Sequence, residues 1–416
     1  MGSFMMSVRA GQKEIVVLFT AFICVVYGFG IYLFPAVVES IRRDIDFSYG
    51  TMGGISASVQ AGFLVSSALA GLLTLRFGAV NLILFSIIVC ALALFGLVFV
   101  GSVLTLGALL LILGACASLI WVPMVEVSRE VIPPRNRGKA LGLMSSGTSY
   151  GVFVNSVLLA VVLPTYGWRM LWAVTGAGVA VLAIYSLIRL KHLRNGRNGR
   201  DPASQTSEVG IRARVVSLPR LLVGGILAMM FLNGFSCISF QAYLSAYLIG
   251  EVKLGEVRAA SAWGLIGLVG MFSGFLMGAL ADRITIRRGM IVAYLVLSIA
   301  AVAAMSIAPN GTRMLLVHVA SVAFGLSFYA IFGLVPAYIS HLFSGGNAAL
   351  VFAFGNVALG MGGVVGNLVG GYTRDFSGSF GIMYVLVLAA ALASAVIAAM
   401  LPGEVGRAVG YSAPAV

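Results

Sequence analysis

Thirteen acidic residues are spread along this chain of 416 residues, and Glu126 is the one that falls clearly inside a long apolar run. A carboxylate there is a functional candidate by default, because an unpartnered charge in hydrocarbon is costly. Glu126 follows Pro123 about a turn from one end of its run, where it could titrate a proton or face a solute. The alternative is a side chain that snorkels or pairs with Arg129 or Arg137. His318 lies about a turn into another run, where a hydrogen-bonded packing role competes with a switch role. Other chemistries find little support. Gly147-Thr148-Ser149-Tyr150-Gly151 matches G-x-S-x-G, but a nucleophile elbow needs a strand–turn–helix, and this match sits in an apolar helical run. No G-x-x-x-x-G-K-[ST] loop occurs, so ATP is not the expected direct driver. His and Met positions form no metal-ligand cluster, and no cofactor is expected. Cys24, Cys90, Cys116 and Cys237 lack C-x-x-C spacing and read as small hydrophobes. Enzyme function is therefore not expected.

The elements that must hold these residues follow from composition. Hydrophobic residues make up 60% of the chain and charged residues 9%, against about 25% charged in soluble domains. A soluble fold so poor in charge could not cover its own surface, whereas a bilayer removes that need. Apolar runs near the required length of about 20 residues predict helices at 15–38, 51–75, 80–101, 104–127, 139–163, 169–189, 219–248, 259–281, 288–308, 313–338, 347–371 and 380–401. Short connections make successive helices antiparallel neighbours. One connection differs: residues 189–218 are polar, basic and rich in Gly and Ser, and read as a flexible linker. A short surface helix within it is an alternative. The predicted organisation is a six-helix bundle over 1–188, a basic linker over 189–218, and a second six-helix bundle with a short tail over 219–416. The net charge of +13 resides mainly in loops. That pattern fits topology and anionic lipid rather than nucleic acid. A cytoplasmic linker places Arg76, Arg135, Arg137, Lys139, Arg283, Arg287 and Arg288 on the same side, with both termini cytoplasmic.

The two halves also repeat. Gly28-Phe29 with Phe34 recurs as Gly234-Phe235 with Phe240, and Gly71 to Arg76 recurs as Gly278 to Arg283. Pro123, Ala140, Gly142 and Gly147 recur in order as Pro336, Ala353, Gly355 and Gly360. A parallel duplication of six helices about an axis along the membrane normal is a known transporter architecture. Gly278 to Arg283, followed by Arg287 and Arg288, resembles the G-x-x-x-D-R loop signature of the major facilitator superfamily (MFS), and Gly71 to Gly78 resembles its partner in the first half. Pro134 to Ala140 resembles the P-x-x-R-G-x-A loop before helix 5, and Tyr166 to Arg169 resembles the G-W-R stretch before helix 6. The string Gly28 to Pro35 faintly resembles the first helix of monocarboxylate-type members.

This resemblance implies an all-α polytopic fold of two six-helix bundles related by a pseudo-twofold axis. It also implies a secondary transporter in the cytoplasmic (inner) membrane, carrying a small organic solute by alternating access, with protons as a candidate coupling ion. Drug or metabolite efflux on the same fold is the runner-up; a membrane-embedded enzyme or a non-transporting sensor is the reading from another class. Membrane lipid and solute are the expected partners, and the protein is expected to act as a monomer. The family's acidic residue in the first loop is replaced by Leu75, which leaves Asp282 as an asymmetric latch against the start of helix 5. Glu126, Asp282, Arg283 and Arg137 form the candidate proton-coupling and gating set. Helices 1, 4, 7 and 10 line most of the cavity in the family. The candidate solute-binding residues are Tyr27, Tyr32, Trp121, Asn155, Asn233, Gln241, Tyr243, Tyr329 and Asn356, and their character points to a neutral, amphipathic or weakly charged solute. Glycines spaced by four, Gly270, Gly274 and Gly278 and again Gly362, Gly366 and Gly370, with Gly142, Gly147 and Gly151, are expected at the seam between halves.

Overall fold

The computed structural model describes residues 2–190, 220–307, 314–343 and 346–403. Most of the predicted linker, with any surface helix in it, and the chain after Gly403 lie outside the described residues. The first half holds α1 (Gly2–Ile23, Cys24–Tyr32 and Leu33–Asp44), α2 (Tyr49–Phe77), α3 (Ala79–Val98), α4 (Val103–Val131), α5 (Pro134–Ser145 and Gly147–Val161) and α6 (Leu163–Arg189). The second holds α7 (Arg220–Ser245 and Ala246–Glu251), α8 (Glu256–Ile284), α9 (Ile286–Met305), α10 (Met314–Leu342), α11 (Gly346–Ser377) and α12 (Gly381–Met400). No strand occurs among the described residues.

Eleven of these helices are long and apolar enough to span a bilayer. The remaining one, α5, is divided at Ser146 into segments of 12 and 15 residues. Ser146 nevertheless keeps helical angles (φ −65°, ψ −14°), and Tyr150 N–H donates to its carbonyl at 3.2 Å. The rod therefore continues, and the helices number six plus six. Within each half the helices follow one another after only a few residues, so every helix runs between two faces. The linker face carries the end of α6 at Arg189 and the start of α7 at Arg220. The opposite face, called distal below, carries the turns 44–49 and 251–256.

Local chemistry sets the helix ends. Ser48 and Ser102 cap α2 and α4 by accepting from the N–H groups of Thr51 and Thr105 at 3.1 and 3.3 Å. The duplicated loop signature ends in a positive φ in both halves: Gly78 at +81° and Thr285 at +110°. A β-branched residue is strained there, and Thr285 offsets part of the cost by accepting from Arg288 N–H at 3.3 Å. The first helix runs on to Asp44, past the predicted stop at 38. Apolarity ends at residue 38, but Glu39, Arg42 and Arg43 find partners and the backbone stays helical.

Packing follows the duplication. Within the halves, α1 lies on α5 and α7 on α11; between them, α2 meets α11 and α5 meets α8. This corrects part of the expected glycine seam. Gly362, Gly366 and Gly370 press on Phe231, Phe235 and Tyr243 of α7, so they pack the second half internally. Gly147 and Gly151 do the same for α1 and α5. The close approaches between halves use Gly53 and Gly371 for α2–α11, and Gly264 and Gly267 for α5–α8.

Candidate functional site

At midspan the first helix leaves the α register: residues Cys24–Tyr32 form a π-helix, a feature that gathers at functional sites. Tyr27 and Tyr32 stand on it. Its Gly28 lies so close to α5 that an added Cβ would sit 2.8 Å from the Gly151 carbonyl carbon. Asn155 of α5 donates its side-chain N–H to the Gly28 carbonyl at 2.6 Å, which fixes the irregular turn, while its Oδ1 is buried without a hydrogen-bond partner. The Tyr27 ring packs edge-on with Phe63 of α2 at 6.3 Å. Tyr32 reaches across to the second half and meets Phe328 of α10 at 6.4 Å and 86°. Phe328 in turn packs edge-on with Tyr329 at 4.9 Å. Tyr27, Tyr32, Phe63 and Tyr329 keep part of their surface accessible although they lie at midspan. The Tyr329 hydroxyl is buried without a partner. Its ring lies over Gly270 of α8, where a Cβ would collide with it.

The other predicted residues distribute as follows. Trp121 on α4 and Asn356 on α11 are half-buried. Asn233 on α7 accepts from the Cys237 thiol at 3.2 Å. Gln241 is buried with its Nε2 unpartnered. Tyr243 donates its hydroxyl to the Asn367 carbonyl, tying α7 to α11. Glu126 is half-buried on α4 and engaged in a polar contact. Arg137 donates to the Ile132 carbonyl at 2.9 Å and so pins the start of α5 to the preceding turn. Asp282 and Arg283 stand exposed at the linker-face end of α8. Among the described residues no group of three or more His, Cys, Asp or Glu is placed to hold a metal.

Sequence reasoning missed the densest polar cluster, which joins the halves at the distal face. Asp375, at the end of α11, accepts from the N–H groups of Tyr49 and Gly50 at 3.0 and 2.7 Å, capping α2 of the other half. Free N–H groups at a helix start favour such a carboxylate. Glu256, in the first turn of α8, accepts from Ser40 and Arg43 of α1, both at 2.9 Å. Arg42 lies 3.7 Å above the Tyr49 ring, and Arg374 of α11 lies 5.0 Å from it. Glu39, 8% exposed, pairs with Arg42 at 3.1 Å and faces Gly250 of α7. The available signal was the string Glu39-Ser40-Ile41-Arg42-Arg43 directly after an apolar run, which puts an acid and a base three apart on a buried face.

Among the described residues, the close glycine contacts between the halves end at midspan. From the distal face they run through Gly371 against Tyr49, Gly53 against Asn367 and Gly267 against Phe153, as far as Gly360 against Leu64. Two or three turns further along the same helix faces, Gly71 of α2, Gly142 of α5, and Gly274 and Gly278 of α8 have nothing within 4 Å of an added Cβ. The halves therefore close the distal side, diverge toward the linker face, and leave the aromatic floor at the bottom of the cleft.

Residues 18–367 match the profile of the Major Facilitator Superfamily. The chain belongs to this family of membrane transporters, and the fold is its two six-helix bundles. A bacterial homologue of the human lysosomal transporter Spinster, solved in an inward-facing, unoccupied conformation, superposes with a TM-score of 0.70 at 14% identity, over 94% of this chain and 95% of that one. The chain is also similar to the cis,cis-muconate transport protein of Acinetobacter baylyi, at 22% identity over 47% of this chain and 48% of the relative. A chloramphenicol efflux pump of Mycobacterium tuberculosis matches at 28% identity over 36% of this chain and 35% of the relative. The multi-drug resistance efflux pump PmrA of Streptococcus pneumoniae matches at 24% identity over 80% of this chain and 81% of the relative. The first two alignments thus span half or less of those relatives' length.

Proposed function

We propose that this protein is a secondary transporter that carries a small organic solute across the cytoplasmic membrane by alternating access. The observation that carries this reading is the one-sided cleft: two similar halves are sealed from the distal face to midspan and separated toward the linker face. A site at the bottom of such a cleft is exposed to the other side when the halves rock the opposite way. In this reading the chain divides at 188/189 and 218/219, the linker and both termini are cytoplasmic, and the structure is the inward-open state. Family membership and the transporters and efflux pumps among its relatives support the same reading. The excess of Lys and Arg on the linker side supports the orientation.

A proton is the proposed coupling ion, with Glu39 and Glu126 as the two carboxylates near the path. The exposed Asp282 is the proposed latch for the opposite state, where closure of the linker face would bring it to the start of α5. Asp282→Asn should then raise thiol labelling of a cysteine placed at Gly142 from the linker side. Unchanged labelling would remove the latch. Efflux is a second mode of the same machine, since gradients decide direction. Counterflow in proteoliposomes over a panel of organic solutes tests the reading as a whole. Saturable exchange of at least one solute is expected, and absence of exchange for every solute would overturn it.

A further inference from the structure

We propose that the midspan aromatic floor is a stacking site for an uncharged, planar aromatic solute, held among Tyr27, Tyr32 and Phe63 of the first half and Tyr329 of the second, with the buried Phe328 supporting the Tyr32 and Tyr329 rings. The proposal rests on the reading that the cleft is the solute path, and it names the solute class.

Three observations carry it. First, Tyr27 packs edge-on with Phe63, Tyr32 with Phe328 and Phe328 with Tyr329, while Phe328 itself is buried and stacks on Phe324 at 5.4 Å, so the free ring surface belongs to Tyr27, Tyr32, Phe63 and Tyr329. These four rings keep accessible surface at midspan. Second, the Tyr329 hydroxyl is buried and has no hydrogen-bond partner, although buried polar groups ordinarily find one. A solute carrying one acceptor or donor beside its ring would satisfy it. Third, among the described residues no Asp, Glu, Lys, Arg or His occupies the middle of any span; Glu126, Glu39 and His318 all lie within about two turns of a helix end. An anion or cation on the floor would be desolvated without a countercharge, which is expensive. Rings alone attract a cation by their faces, but an uncharged ring gains stacking without losing hydration of a charge.

The test uses the full chain in lipid nanodiscs and isothermal titration with four probes: para-nitrobenzyl alcohol, para-nitrobenzoate, para-nitrobenzyl-trimethylammonium and cyclohexylmethanol. The alcohol should bind saturably and at least tenfold tighter than the anion, the cation or the saturated ring. Phe328→Leu should weaken it about fivefold to tenfold, the size of one aromatic pair, and Tyr329→Phe should weaken it less. Phe99→Ala, at an exposed distal turn, should leave it within twofold. Phe328→Leu is chosen to keep bulk, and Tyr32→Leu serves as the second variant if Phe328→Leu is not monodisperse. Equal or tighter binding of the anion, the cation or the saturated ring would overturn the proposal, as would an unchanged affinity in Phe328→Leu. The outcomes separate from those of the transport reading. Bound alcohol in the expected pattern without exchange across proteoliposomes keeps this site and sinks transport. Exchange restricted to charged or saturated solutes keeps transport and sinks this site.

Discussion

At the distal face, α2 and α11 approach so closely that Gly371 lies against the Tyr49 carbonyl, and a carboxylate from one half caps a helix of the other. At the linker face the same helix surfaces present Gly71, Gly142, Gly274 and Gly278 to open space. The contrast teaches that small residues on a helix face do not by themselves make an interface. The distal seam is held by close backbone packing combined with oriented hydrogen bonds to charged groups, whereas the linker-face glycines have nothing packed on them. Two packings of similar quality on either side of one floor are what a rocking mechanism requires.

The comparison can be broken most severely by bulk. Gly267→Val places a side chain where Phe153 Cα stands 2.9 Å from the added Cβ. Overpacking of this kind costs about 1–3 kcal/mol, so the distal-closed state should lose roughly fivefold to 150-fold in population. Maleimide labelling of Ser156→Cys, in a background lacking the four native cysteines, should rise accordingly. The matching change on the linker side, Gly274→Val, should leave that labelling unchanged.

Next in size is Asp375→Asn. It weakens the cap on α2, a contribution of about 1 kcal/mol for a capping side chain, and should raise the same labelling about fivefold. Glu39→Gln sharpens the comparison differently. It removes the buried distal carboxylate but keeps its shape, so solute exchange should become independent of pH. Exchange in Glu126→Gln should keep its pH profile if the distal acid carries the proton, and the reverse result would move coupling to the linker side. Smallest is Glu256→Gln. Its partner Arg43 is 63% exposed, and such pairs contribute about 0–1 kcal/mol. A change in labelling of twofold or less is expected, vanishing at high salt.

The helices were legible because hydropathy over about 20 residues is a local property, and because the bilayer forces every backbone polar group to be satisfied within its own helix. The duplication was legible as well, since loop signatures such as Gly278 to Arg283 repeat in linear order. The distal cluster was not. Glu39, Tyr49, Glu256 and Asp375 are far apart in the chain, and their partnership depends on how the two halves sit together. A span assignment that stops where apolarity stops also ends at residue 38 and discards Glu39 just before its pairing with Arg42. Among the predicted cavity residues, Tyr27, Tyr32 and Tyr329 come together on one floor. Tyr243 is instead spent on the Asn367 carbonyl, a difference that residue type could not foretell.

The sequence by itself determined that this chain crosses a membrane in two six-helix halves of one family, because composition, span length and repeated loop signatures are all written along the chain. Only the tertiary structure decided which face is sealed, which glycines touch the other half and which carboxylate caps which helix. Those are properties of pairs of helices distant in sequence. Their geometry is set by how side chains interlock across the seam, and a linear pattern of apolar and polar residues does not encode that interlocking.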